Sequence, residues 1–165
     1  MFSRQPLISV LLVCTANICR SPMAEGLLRA ELARRGKQRL VGVDSAGTHV
    51  GQKGAHADAR AQQVCAREGI DLRKSRSRQV VEDDFYQFDR ILALDHKNLE
   101  WLAGTAPEDA AASIDLLGDC AELFLGDVPD PYYGSVSAFE QVMAQLHRAV
   151  DGLLAELSLS LEDAN

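Results

Sequence analysis

The chain alternates short apolar runs with longer stretches in which apolar residues return every three or four positions. Residues 7–13, apolar and β-branched but for Ser9, have the pattern of a strand buried on both faces. Met23, Ala24, Leu27, Leu28 and Leu32 then recur at helical spacing, and Gly36 is placed to close that helix. Residues 40–44 read as a second strand, and 47–56, with three glycines and no periodicity, as a loop. Asp58 caps a helix to about residue 68, stopped by Gly69. A third strand over 90–94, a helix over 96–102 and a fourth strand over 113–117 follow, with 107–112 a turn between the last two. Residues 118–134 form a long connection, and 136–157 a strongly periodic last helix. Residues 1–6 and 158–165 read as loose ends. Strands alternating with helices predict an α/β fold: one domain over 1–165, a parallel sheet with helices on both faces.

Ligands of such sheets bind beyond the carboxyl ends of the strands. The first of these ends carries Val13-Cys14-Thr15-Ala16-Asn17-Ile18-Cys19-Arg20-Ser21-Pro22. Ser21 offers a capping hydroxyl, and Pro22 sits where a missing N–H costs nothing. A short loop from strand end to helix start turns its N–H groups inward, and the helix dipole adds positive charge. Backbone donors from Thr15, Ala16, Asn17, Ile18, Cys19 and Arg20 then make an anion cradle. Its ends are a thiol and a guanidinium. The thiolate is the nucleophilic form of cysteine, and a positive field favours it. The Ser21 hydroxyl is in reach to donate to the sulfur, and Arg20 offers a fork that fits two phosphate oxygens. Alone, Cys14 would read as a buried structural cysteine; Arg20 and Ser21 in this register make it a candidate nucleophile. Cys19 has two readings: a resolving thiol for an oxidised Cys14, or a small apolar residue packed beneath the loop.

Charge narrows the partners. The formal net charge is −7, which argues against nucleic acid or an anionic membrane, so phosphate must be captured by local positive charge. No apolar run is long enough to span a bilayer. The cysteines at 14, 19, 65 and 120 form no CxxC pair and no Cys/His cluster, so no metal site and no cofactor is expected, and reduced thiols suggest the cytoplasm. His49, His56, His96 and His147 are scattered and read as surface residues. The basic run over 73–78 reads as a solvated turn in preference to a binding site.

Four motifs carry a family resemblance. VCTANICRSPMAE, Asp44-Ser45-Ala46-Gly47-Thr48, Asp58-Ala59-Arg60-Ala61 and Asp130-Pro131-Tyr132-Tyr133-Gly134 together resemble the low-molecular-weight protein tyrosine phosphatases, over nearly the whole chain. The resemblance implies a four-stranded sheet in the order 2-1-3-4. It implies hydrolysis of phosphotyrosine and aryl phosphate monoesters through a cysteinyl phosphate. Cys14 would be nucleophile, Arg20 phosphate clamp and Asp130 general acid and base, with Tyr132 and Tyr133 walling the pocket. The partner would be a phosphotyrosine-containing protein, a tyrosine kinase among the options. On the residues alone, Asp130 also reads as a turn aspartate before proline, Asp127 is an alternative acid, and Asn17 is as much a turn residue as a support of the loop.

Rival activities on similar loops are arsenate reduction and phosphoarginine hydrolysis. The first needs redox cysteines after the third strand, where residues 92–98 have none. The second goes with threonine where this chain has Ile18. A catalytically silent phosphate-binding module would not need Cys14, Arg20 and Asp130 together. Three positions depart from the family pattern: Ala16 replaces a glycine, Gly51 a groove tryptophan of some relatives, and Ser75 a histidine that supports the loop asparagine.

Overall fold

The computed structural model describes residues 5–163. Its strands are β1 (Ile8–Cys14), β2 (Val41–Gly47), β3 (Arg90–Ala93) and β4 (Ser113–Leu116). The helices are α1 (Arg20–Arg34), α2 (Ala59–Ala66), α3 (Asp84–Gln87), α4 (His96–Thr105) and α5 (Val136–Asp163), and a 3-10 turn spans Leu117–Cys120. The four strands are parallel in the order β2-β1-β3-β4, as the resemblance implied.

The continuous apolar run over 10–14 in β1 has a simple cause: its two faces enter two different cores. Val10, Leu12 and Cys14 face α1, α2 and α5, while Leu11 and Val13 join Phe85, Ile91, Ala93 and Leu102 on the other side. The parallel register sets Cys14 beside Gly47, so the ends of β1 and β2 coincide. Glycine is required there, because a Cβ at Gly47 would lie 2.6 Å from the Thr15 carbonyl oxygen. Helix α1 closes as expected: Gly36 has φ +70°, and the N–H groups of Gly36 and Lys37 return to the carbonyls of Ala33 and Leu32.

Several boundaries differ from the sequence reading. Strand β2 runs on to Gly47 because β1 pairs with it along its full length. The four-residue α3 and the 3-10 turn are too short for periodicity to reveal. The C-terminal end is not loose over 158–163: α5 continues to Asp163, since Leu157 and buried Leu161 prolong the stripe of Leu153 and Leu154 against the core. Residues 1–4, most of the presumed loose N-terminal end, lie outside the described residues, as do 164–165.

Helix α5 lies on the 3-10 turn so closely that a Cβ at Gly152 would sit 1.7 Å from the Cys120 carbonyl oxygen. Glycine to alanine in an exposed helix interior gains about 1 kcal/mol. Here Gly152→Ala should instead destabilise the protein by about 1–3 kcal/mol, the cost of overpacking, read as a lower urea midpoint at unchanged m-value. An unchanged or raised midpoint would refute this packing.

Candidate active site

The loop after β1 curls over the start of α1. Among the described residues, the backbone N–H groups of Ala16, Asn17, Ile18 and Cys19 have no protein acceptor, as an anion cradle requires. Asn17 holds the turn. Its φ is +57°, the only positive value among non-glycine residues described, and its side chain compensates that strain with three hydrogen bonds. Its Nδ2 donates to Ser21 Oγ at 2.8 Å and Ser45 Oγ at 3.0 Å, and its Oδ1 accepts from the Arg78 N–H at 3.0 Å. Ser45 in turn donates to Glu25 Oε1 at 2.7 Å. Asn17 therefore supports the loop, and it draws that support from Ser45 and Arg78, not from Ser75.

Ser21 does not cap α1. The helix starts at Arg20 with Cys19 in the capping position and no side-chain cap. The Ser21 hydroxyl turns instead to Cys14 Sγ, 2.9 Å away. Ser21 Oγ accepts from Asn17, which leaves its proton for the sulfur, or for the Ala46 carbonyl at 3.5 Å. A Cys14 thiolate has the Ser21 hydroxyl as donor at that distance.

Arg20 is 2% exposed. Its Nη1 donates to Asp95 Oδ2 at 2.6 Å and to the Val128 carbonyl at 3.0 Å, and its Nη2 lies 3.4 Å from Thr15 Oγ1. Burial opposes the guanidinium charge, but Cys14, Asp95 and Asp130 outweigh it and raise the pKa further. Asp95 also caps α4 by accepting from the Asn98 N–H at 2.8 Å, and Asn98 Nδ2 donates to Thr15 Oγ1 at 3.1 Å. Asp95 and Asn98 were not singled out from the sequence. A strand, an aspartate and then a helix is the signal for a cap, but nothing in it points to Arg20 as the second partner.

A cavity of about 400 Å³ opens over the loop, lined by Cys14, Thr15, Ala16, Ile18, Cys19 and Arg20 on the floor and by Gly51, Gln52, Ala55, Asp130, Tyr132 and Tyr133 around the walls. Three larger surface hollows hold none of the loop residues. Asp130 is half exposed, with Oδ2 3.8 Å from Arg20 Nη2, and its Oδ1 accepts from the Tyr132 N–H at 3.1 Å. Asp127 is occupied elsewhere: its Oδ1 accepts from the His96 N–H at 3.0 Å and lies 2.5 Å from His96 Nδ1. Tyr132 and Tyr133 meet edge to face at 5.0 Å, and Tyr133 is 95% exposed. Arg60, bound to Asp58, anchors this wall by donating to the carbonyls of Tyr132 and Gly134. The Arg60 hydrogen bond holds the Asp58 carboxyl below the usual carboxylate range.

Burial, with Asp58, Cys14 and Asp130 nearby, pushes the Cys19 thiol up to about 12, and Cys19 packs in the core. Cys65 and Cys120 are buried in α2 and the 3-10 turn, away from the cavity lining, and no cysteine stands in the 92–98 segment. No cluster of metal-ligating side chains occurs among the described residues.

Residues 9–162 match the family described as low molecular weight phosphotyrosine protein phosphatase. The low molecular weight protein-tyrosine-phosphatase of Streptomyces coelicolor is 41% identical over 157 residues, covering 93% of this chain and 95% of that protein. The crystal structure of a protein tyrosine phosphatase from Entamoeba histolytica, with Hepes in its active site, superposes with a TM-score of 0.87 at 35% identity, covering 93% and 98% of the two chains. The YwlE arginine phosphatase of Bacillus subtilis also superposes, with a TM-score of 0.83 at 27% identity, covering 92% and 96%.

Asn17→Gly tests the support of the loop. Glycine accepts the positive φ without strain, so only the three hydrogen bonds are lost. Inorganic phosphate, titrated calorimetrically, should bind about tenfold more weakly, the equivalent of about 1.4 kcal/mol. Equal affinity would mean that the loop holds its shape without them.

Proposed function

Because the chain belongs to the low molecular weight phosphotyrosine protein phosphatase family, and is an enzyme of that class, we propose that Cys14, Arg20 and Asp130 carry its reaction. The observation that supports this most is the cavity itself, where loop, thiol and guanidinium face a carboxylate delivered from the connection after β4.

The Cys14 thiolate attacks phosphorus in line with the ester oxygen. The S–P bond forms as the P–O bond to the tyrosine breaks, and Asp130, as carboxylic acid, gives its proton to the departing oxygen. A phenolate is a poor leaving group, with a conjugate acid near ~10, so this proton matters. The three non-bridging oxygens lie in the cradle, with the free N–H groups of the loop and the Arg20 fork taking up the developing charge. Asp130, now a carboxylate, takes a proton from water as that water attacks the cysteinyl phosphate, which releases inorganic phosphate and restores the thiolate. Ser21 and Asn17 hold the sulfur and the loop in place throughout.

Tyr132 and Tyr133 offer ring faces to a phenyl phosphate, and Ile18 adds apolar bulk at the floor. Both favour an aryl ester over a charged phosphoguanidinium. Phosphoarginine is the second reading, supported by the likeness to the YwlE arginine phosphatase. The substrate is a phosphotyrosine-containing protein, with a tyrosine kinase a suitable example. No helix among the described residues is long and apolar enough to cross a membrane, and the four free thiols suit a reducing compartment, so we place the enzyme in the cytoplasm.

The test is turnover of phosphotyrosine, phosphoserine and phosphoarginine peptides and of arsenate, by wild type and Cys14→Ser. Phosphotyrosine should lead by at least about tenfold in kcat/KM, and Cys14→Ser should abolish turnover while inorganic phosphate still binds. Comparable rates on phosphoarginine would move the assignment to the second reading, and substantial turnover by Cys14→Ser would end the covalent mechanism.

The acid is tested by a leaving-group series. Asp130→Asn should slow esters of basic phenols by about 10²–10⁴-fold and leave activated aryl esters much less affected. Asp127→Asn should give the wild-type slope, because Asp127 is bound to His96. The reverse pattern would transfer the role to Asp127.

A further inference from the structure

One wall of the cavity, Gly51, Gln52 and Ala55, belongs to a loop that is stitched to the basic segment over 76–79. The Gly54 N–H donates to the Ser77 carbonyl at 2.8 Å, the Ser77 N–H to the Ala55 carbonyl at 2.9 Å, and Ser77 Oγ to the Gln52 carbonyl at 2.6 Å. His56 and Arg76 face one another in an antiparallel bridge. The basic segment is therefore the outer layer of the cleft rim, not a detached turn.

Neither 49–56 nor 73–79 contains an acidic residue. Arg73 is neutralised by Asp71, and Arg78 by Asp44 and Asp84. Lys53, Lys74 and Arg76 are exposed; Lys53 and Arg76 have no carboxylate partner among the described residues, whereas Lys74, with Arg73, helps hold the Asp71 carboxyl down. The guanidinium of Arg76 is fixed, because its Nη1 donates to the carbonyls of Arg73 and Ser75 at 2.9 and 3.0 Å, and its other N–H groups remain available. On the opposite wall the cation, Arg60, is taken up by Asp58 and by backbone carbonyls. A patch of unpaired positive charge thus sits beside the cavity of a chain whose formal net charge is −7.

We propose that Lys53 and Arg76 form a subsite for acidic side chains that flank the phosphotyrosine, so that the preferred substrates are phosphotyrosyl segments rich in Asp and Glu. The proposal rests on the phosphotyrosine reading above. Two opposing fields decide its sign. The protein as a whole repels an acidic peptide, but at physiological salt charges beyond about 8 Å are largely screened, so a carboxylate at the rim responds mainly to the patch. Exposed pairs are individually weak, and two together amount to between about threefold and thirtyfold in kcat/KM.

The experiment compares two phosphotyrosyl peptides, one with glutamates on both sides of the phosphotyrosine and one with glutamines at the same positions. The ratio of their kcat/KM values is taken within each protein, so a general loss of fold or chemistry lowers both and cannot imitate the effect. For wild type the ratio should exceed about three, appear in KM and not in kcat, and fall toward one at about 0.5 M salt. Lys53→Gln and Arg76→Gln should each lower it by about twofold or more. A wild-type ratio at or below one overturns the proposal, as does a ratio that is unchanged by salt or by both variants. Capture of anionic vesicles by the wild type, lost in Arg76→Gln, with no gain for the acidic peptide, would assign the patch to a membrane surface and also overturn it. Turnover of an aryl phosphate separates the two readings: if that too is absent in wild type, the phosphatase assignment itself has failed.

Discussion

A guanidinium buried as deeply as Arg20 has to be surrounded by acceptors, and meeting that demand arranges the rest of the site. Its donors draw on Asp95 at the start of α4, on the Val128 carbonyl in the connection after β4, and on Thr15 in its own loop. Three chain segments that are remote in sequence are tied to one planar group. The connection that carries Asp130 is fixed at Val128 on both sides, since the Val128 N–H also donates to the Leu94 carbonyl at 2.9 Å. Next to it, Asp127 grips the first turn of α4 through His96. Asp130 is thus left half exposed at the cavity, close enough to Arg20 to sense its charge.

The loop itself is held from the other side of the sheet. Its free N–H groups and the positive φ of Asn17 would be unstable in isolation, and the compensation comes from β2 and from the segment after it. Arg78 links these demands. Its guanidinium bridges Asp44 and Asp84, and that bridge positions the backbone N–H that Asn17 receives. Gly47 allows the approach, and Thr48 and His49 continue it with N–H bonds to the carbonyls of Cys14 and Thr15. The same segment then holds the 51–56 loop against the cavity, so support of the cradle and the charge of the cleft rim share one piece of backbone.

The sequence by itself determined the layout and the candidate reacting groups. Hydrophobic periodicity is local, and it located every strand and each helix longer than a few residues, because burial of β1 on two faces and of α5 on one stripe is written into neighbouring positions. Cys14, Arg20 and Ser21 were legible because the cradle is built from consecutive residues, and Asp130 because its motif resembles that of a known family. Only the tertiary structure decided which groups answer Arg20 and Asn17. A buried cation needs a carboxylate, but Asp95, Asp127 and Asp130 are equivalent as letters, and the sheet order and loop path select Asp95 as its closest partner. Of the two roles the sequence allows Ser21, helix cap and donor to the sulfur, the curl of the loop selects the second. The basic run over 73–78, read along the chain, is a solvated turn; paired across space with 51–56 it becomes the rim of the cleft, because charges act through distance and not through order in the chain.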